Sequence, residues 1–388
     1  MTKNKTKKSS ILNKVVSMGL MAIPITLLVL VILIFSKTSS QFVNHPYSYI
    51  ISDQILDSKE MNEASNAHVL FIGDKMGVAL AHYIPYINEK LSKNLQSPLK
   101  IFNWCRKNES IVRTLNKIKK LNKIPPIVIY HGSADEFYEN IFEIDDYPRI
   151  VLNIKRFNLP YVQLILEFFP QLSKLIFKPT KIVILRELKQ DTRTYTDLQL
   201  QHKMEITYSL YNYHLMELIK TIRQTNAEII LLTTPLNFKV APRSVCSNST
   251  TEQLSNHLLK IKTYLEEGKT KVAYNQLQEL SKHALTNAQM YHLLGQASFS
   301  LGKTIESNKA FNLATSFDCT PWRSNGVFNS IIEQAALSNR LNYIDFHSHV
   351  NKSTERRVLF SDVFFPQPIF YEEISQQIIL LIKQFFQI

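Results

Sequence analysis

Three loops hold the side chains best suited to chemistry. In HVLFIGDKMG, residues 68–77, an apolar strand runs into a Gly73-Asp74 corner and then a helix. That layout presents one side chain at the edge of an α/β sheet, and here it is the amine of Lys75. In YHGSADEFY, residues 130–138, His131, Ser133 and Asp135 follow a second apolar run, while Ser361 and Asp362 precede the C-terminal helix. A hydroxyl nucleophile needs a base to take its proton, an acid to orient that base, and donors for the oxyanion. An amine serves as nucleophile or base only if its pKa falls well below about 10.4, a shift that a helix N-terminus favours. Amine attack on an ester still ends in a stable amide. An anion-binding or solvated role is the simpler one for Lys75, and Arg106 and Lys107 would favour the same anionic group.

Other chemistry-bearing residues are weaker candidates. DFHSH, residues 345–349, puts His347 and His349 on one face if it is strand, but a zinc centre needs a further ligand that the sequence does not supply. Cys105, Cys246 and Cys319 are too scattered for a zinc site or a disulfide framework. One disulfide can form if the domain is extracytoplasmic, with the pairing open. GKT occurs at 268–270 and 302–304, but a phosphate loop needs a glycine five residues earlier, where Thr263 and Ala297 stand. Both read as helix-helix turns. No cofactor or metal is implied.

The elements that must position these residues alternate. Apolar runs at 69–72, 99–104, 124–132, 228–235 and 342–346 are separated by helical stretches near 76–92, 108–121 and 201–225, with a last helix near 372–386. Strands joined by crossover helices imply a parallel sheet covered on both faces. With only 8 glycines, a fold rich in β-turns is disfavoured.

Residues 18–36 form a charge-free apolar run of about 19 residues, close to the length that crosses a bilayer. Five lysines precede it, so the positive-inside rule puts residues 1–17 in the cytoplasm as a basic tail and the main domain outside. The run exceeds a signal-peptide core, which favours an uncleaved anchor. Residues 37–67 read as a polar linker. The formal charge is +13, yet six of those charges are lysines within residues 1–40, a stretch with no acid. The rest shows no dense basic stripe, which excludes a nucleic-acid footprint.

Two insertions interrupt the α/β order. Residues 157–178 are apolar, but Glu167, Pro170, Gln171 and Lys174 rule out a second span. They read as short core-covering helices, or as an amphipathic flap on a membrane or over a pocket. Residues 251–320 carry a 34-residue offset that pairs Gly268 with Gly302, Ala273 with Ser307, Leu277 with Phe311 and Leu280 with Ala314. That is the tetratricopeptide period of two helices per unit. The insertion is expected to pack on the main domain as a rigid spacer or to offer a concave face to a partner segment.

FIGDKMG, YHGSADEFY and VLFSDVFFPQP (residues 358–368) fall in an order that resembles the SGNH/GDSL hydrolase family, over residues 68–388. Bacterial members carry a tetratricopeptide-like insertion before the last strand. The resemblance implies a three-layer, flavodoxin-like α/β fold with a parallel sheet and an inserted α-helical hairpin region, and ester or O-acetyl chemistry on lipids or carbohydrates. The α/β domain is then 68–250 and 321–388, split by 251–320. The family's catalytic blocks are degenerate here. Its Gly-Asp-Ser is Gly73-Asp74-Lys75, its Gly-x-Asn-Asp is Gly132-Ser133-Ala134-Asp135, and its Asp-x-x-His is Asp362-Val363-Phe364-Phe365. Lys75, Ala134 and Phe365 replace nucleophile, oxyanion donor and base; Asp74 and Asp362 remain in register.

The expectation is a bacterial, single-pass protein of the cytoplasmic membrane, facing the envelope and without conventional hydrolase activity. It binds an envelope glycan or acyl-bearing ligand in the inherited pocket, or a partner protein on the helical insertion. The candidate pocket is Asp74, Lys75, Arg106, His131, Ser133, Asp135 and Asp362. The competing expectation is an active esterase or O-acyltransferase using substituted groups.

Overall fold

The computed structural model describes residues 24, 49–52, 56–92, 99–138, 141–168, 172, 181–184, 195–246, 250–283, 286–352 and 359–387. The apolar run 18–36 lies outside these apart from Pro24. No helix among the described residues is long and apolar enough to cross a membrane. The chain divides into two compact units, residues 1–50 with 149–182, and residues 51–148 with 183–388.

Five parallel strands organise the larger unit: β1 (Val69–Gly73), β2 (Ile101–Asn103), β3 (Ile127–His131), β4 (Glu228–Leu232) and β5 (Asn342–Ile344). Their spatial order is β2-β1-β3-β4-β5, the flavodoxin-like doubly wound order, whose ligands bind beyond the carboxyl ends of the strands. Every residue of β1 and β3 is buried, as expected where helices cover both faces. Alternate residues serve opposite layers. Leu70, Ile72, Val128, Tyr130, Ile229 and Leu231 face one cluster. It includes α4 (Ile111–Lys119), α7 (Asp197–Arg223) and α12 (Gly326–Asn339), and α1 (Ser58–Ser65) adds Ala64. Val69, Phe71, Ile127, Ile129, Ile230 and Leu232 face the other cluster. There α2 (Lys75–Leu80), α3 (Ile84–Ser92), α13 (Phe346–Asn351) and α14 (Pro368–Phe386) pack.

The local boundaries have identifiable causes. The helix expected over 76–92 is divided by a 3-10 turn at Ala81–Tyr83, because Pro85, second residue of α3, lacks the N–H that a continuous helix needs. Thr196 and Gln199 form a reciprocal capping box that starts α7. Parts of the stretch read as linker, residues 37–67, are instead α1 and the strand Tyr49–Ser52, which is paired with Lys181–Ile184. The last strand stops at Ile344, and Asp345 caps α13 by accepting from the Ser348 N–H. His347 and His349 therefore lie on a helix, and the strand geometry expected for them does not form. His349 instead meets Glu373 at 2.8 Å.

The smaller unit contains α6 (Pro160–Phe168) and all but the first two residues of α5 (Tyr147–Phe157). On α6, Leu166 is buried while Tyr161, Leu164 and Ile165 are exposed, so this insertion is only in part a core cover.

Residues 251–320 form four helices: α8 (Glu252–Glu266), α9 (Thr270–Leu280), α10 (Ala288–Ser300) and α11 (Thr304–Ser316). Gly268 (φ +75°) and Gly302 (φ +74°) make the turns within each pair, a left-handed conformation that glycine adopts at least cost. Cys246 and Cys319 are disulfide-bonded, closing the base of this insertion over a separation of 73 residues. Asp197 lies beside the bridge, but two sulfurs bonded to each other offer no thiolate to a metal. Cys105 is a buried free thiol.

Candidate functional site

The sheet-edge corner is built by close backbone approach. Gly73 has φ +130°, and a Cβ there would lie 2.1 Å from the His131 carbonyl oxygen, so only glycine fits. The chain then turns into α2, with fully buried Asp74 as N-cap. Its carboxylate accepts from the Met76 N–H at 2.9 Å, the Asp135 N–H at 3.1 Å and the Ala134 N–H. Burial, and then the neighbouring Asp135 carboxylate, push the Asp74 pKa up to about 8.

Lys75 folds back into the corner instead of facing solvent. Its Nζ lies 2.8 Å from Asp135 Oδ1, with only 15% of the lysine side chain and 3% of the aspartate exposed. The same ammonium sits 3.7 Å from the centroid of the Phe364 ring, a cation-π distance. Asp135 is held from behind by the Asn108 N–H, 2.9 Å from Oδ2. Phe364 is held in turn by the Trp322 ring edge, centroids 5.2 Å apart. The corner at the start of α2 is thus filled by an ion pair under an aromatic cap.

The remaining predicted residues are committed elsewhere. The Ala134 N–H, the one donor that residue could offer an oxyanion, is used by Asp74. Ser133, at φ +92°, has its hydroxyl 3.0 Å from Thr234 Oγ1 and 2.8 Å from Ser324 Oγ. Asp362 accepts the Phe364 and Phe365 N–H groups at 2.7 Å, so its carboxylate shapes its own loop. Phe365 offers no base. Arg106 donates its backbone N–H to Gly73 O at 3.1 Å, while its guanidinium pairs with Glu60 on α1. That hydrogen-bonded ion pair holds the Glu60 carboxyl below its usual range.

His131 is fully buried, and neither ring nitrogen has a hydrogen-bond partner among the described residues. Its ring lies 5.7 Å from that of Phe346, and burial lowers its pKa to about 3. Such a histidine is a neutral core residue.

The structure therefore brings together Asp74, Lys75, Ala134 and Asp135, while the side chains of Arg106, His131, Ser133 and Asp362 stay outside that contact set, although the His131 carbonyl accepts the Asp74 N–H at 3.3 Å. Phe364 carried no sequence signal, because the resemblance marks only its neighbour Phe365. Glu60 gave no chemical signal either: it stands three residues after Asp57 and four before Ala64 in a short polar helix. Among the described residues, three cavities, one bounded by Thr233 and Lys352, one by Asn237 and Phe360 and one by Ile127 and Phe385, do not include Lys75.

No protein-family model matches the chain, and no curated protein matches it. Among solved structures it is similar to a lipase/acylhydrolase from Enterococcus faecalis, at 9% identity and TM-score 0.34 over 81% of this chain and 95% of the other. It is similar to a GDSL-like lipase from Bacteroides thetaiotaomicron at 10% identity and TM-score 0.35, covering 83% and 94%. It is also similar to a catalytic mutant of an acetylxylan esterase from Geobacillus stearothermophilus at 10% identity and TM-score 0.32, covering 81% and 93%. At such scores the likeness carries no argument by itself. Strand order, helix placement and the built corner carry the structural assignment to a doubly wound parallel α/β sheet.

Proposed function

We propose that this chain is a membrane-anchored, extracytoplasmic SGNH-hydrolase-like protein that has lost ester hydrolysis and binds an envelope glycan or acyl-bearing ligand. The observation that carries the loss is the Lys75–Asp135 ion pair at 2.8 Å beneath Phe364. An ammonium so paired has no lone pair for attack, and the donor that would stabilise an oxyanion is already bound to Asp74. The degenerate blocks and the strand order support descent from that family. The charge-free run at 18–36 and the lysines before it support the anchor and its orientation. The Cys246–Cys319 bridge supports an oxidising compartment.

The competing reading, an esterase or O-acyltransferase with substituted groups, requires the Lys75 amine to be released from Asp135. Binding is tested by thermal unfolding of the full chain in phospholipid nanodiscs, with and without envelope glycan fragments and acylated derivatives. A saturable rise in Tm is expected, since a ligand of the folded state stabilises it by mass action. No shift with any member of the set contradicts the binding reading.

A further inference from the structure

The larger unit contains two neighbouring chambers where the helical insertion meets the α/β layers, the first with an aromatic wall and the second without one. One, about 790 Å³, has an apolar wall of Phe238, Phe299, Phe311 and Leu359 beside polar and charged groups that include Lys262 and Glu266. The other, about 500 Å³, lies beyond the ends of β4 and β5 and is lined by Asn308, Asn312, Asn329, Ser330, His347 and Ser348. Asn308 and Asn351 line both, so the chambers adjoin. Both volumes fall in the range of small-molecule sites, roughly 300–1,000 Å³.

The walls look built for a ligand with two ends. Phe238 stacks on Phe311 with centroids 5.1 Å apart and meets His347 edge-on at 5.5 Å, so one fixed aromatic ring connects the two chambers. His292 braces it, with its Nε2 3.3 Å from the Phe238 carbonyl oxygen. Phe299 is 65% exposed, an aromatic surface that an apolar tail would cover. In the polar chamber the Asn312 side-chain oxygen is buried without a donor among the described residues. Turning that amide would present it to a hydroxyl. The chamber's charged side chains are Lys309, Lys352, Glu333 and Asp345, two of each sign, which disfavours an anionic or cationic head.

The geometry points to a binding site for a neutral acylated sugar, its hydroxyl-rich head among Asn308, Asn312 and Ser330 and its acyl or alkyl tail against Phe238, Phe299 and Phe311. This deepens the ligand-binding reading and rests on it, but it moves the ligand from the inherited corner to the junction with the insertion. The covalent tie between head and tail raises the effective concentration of each at its own chamber, so neither half alone should bind comparably.

The test is photolabelling of the full chain in phospholipid nanodiscs with an octyl glucoside carrying a diazirine in its tail, followed by peptide mapping. Labelling is expected on the segments holding Phe238, Phe299 and Leu359. It should be displaced by octyl glucoside, with glucose or octanoate needing at least about tenfold higher concentration. Phe299→Glu and Asn308→Leu should each reduce the labelling about tenfold or more. Label spread over other surfaces, octanoate competing as well as octyl glucoside, or both cleft variants labelling like the wild type would each overturn the site. The competition needs no variant, so misfolding of a variant does not blunt the test. A Tm response to glycans that persists while the cleft stays unlabelled would sink this site and leave the broader binding reading standing.

Discussion

Lys75→Ala removes the cation facing Asp135 and leaves a carboxylate that is 3% exposed without its partner. Unpairing a buried charge in this way should cost on the order of 3 kcal/mol in denaturant unfolding. Adding Asp135→Asn should recover about half of that, because the residue left behind no longer carries charge. His131 makes the pH dependence specific. Its pKa falls from an ordinary value near 6.5 to about 3 in the folded state, so the unfolded chain binds the proton more readily. The contribution is therefore fully present above pH 6.5 and is lost as pH falls toward 3, amounting to about 2 kcal/mol by pH 5. His347, lowered to about 4, acts in the same direction. Unfolding midpoints at pH 7 and pH 5 should show a smaller difference in His131→Leu than in the wild type. Replacement of an unpartnered imidazole should also leave stability at pH 7 unchanged or raised. Much of this corner is legible in the sequence, since Gly73 and Asp74 announce its shape. The destination of the lysine side chain is not legible, because a flexible four-carbon stem gives no sequence sign of whether it meets solvent, Asp135 or Phe364.

Strand interiors and helix faces follow from periodicity, and their ends follow from particular residues. Pro85 divides one helix and Asp345 converts a strand end into the cap of another, and in both cases one side chain overrides the surrounding pattern. The disulfide shows the opposite limit. Three cysteines leave the pairing open until the fold brings Cys246 and Cys319 together at the base of α8–α11. Closing a loop of 73 residues limits the unfolded chain, an effect worth about 4 kcal/mol in the chain-entropy account. Reduction, or Cys246→Ala with Cys319→Ala, should lower stability by about 2–4 kcal/mol, measured by thermal unfolding. An unchanged Tm would show that the insertion holds its base without the bridge. Packing supplies another check, because Phe328 on α12 meets Tyr211, Tyr208 and Phe137 edge-on at 4.9, 5.1 and 5.4 Å. Phe328→Ala should cost about 3–5 kcal/mol.

At the level of the molecule, the parallel sheet and its helix layers could be read from alternating strand and helix signals, whereas the cleft beside the insertion could not. It is assembled from residues far apart in the chain, such as Asn237, Phe299 and Leu359, and no local pattern links them. Backbone, the glycine corner and Asp74 shape the sheet edge, and Lys75, Asp135 and Phe364 close it. Turnover of aryl acetates by the full chain, measured across pH and acyl-chain length beside labelling by a serine-directed fluorophosphonate, tests that closure most directly. The account predicts no turnover above the buffer rate and no label. Hydrolysis that is saturable and abolished by Lys75→Ala would contradict it.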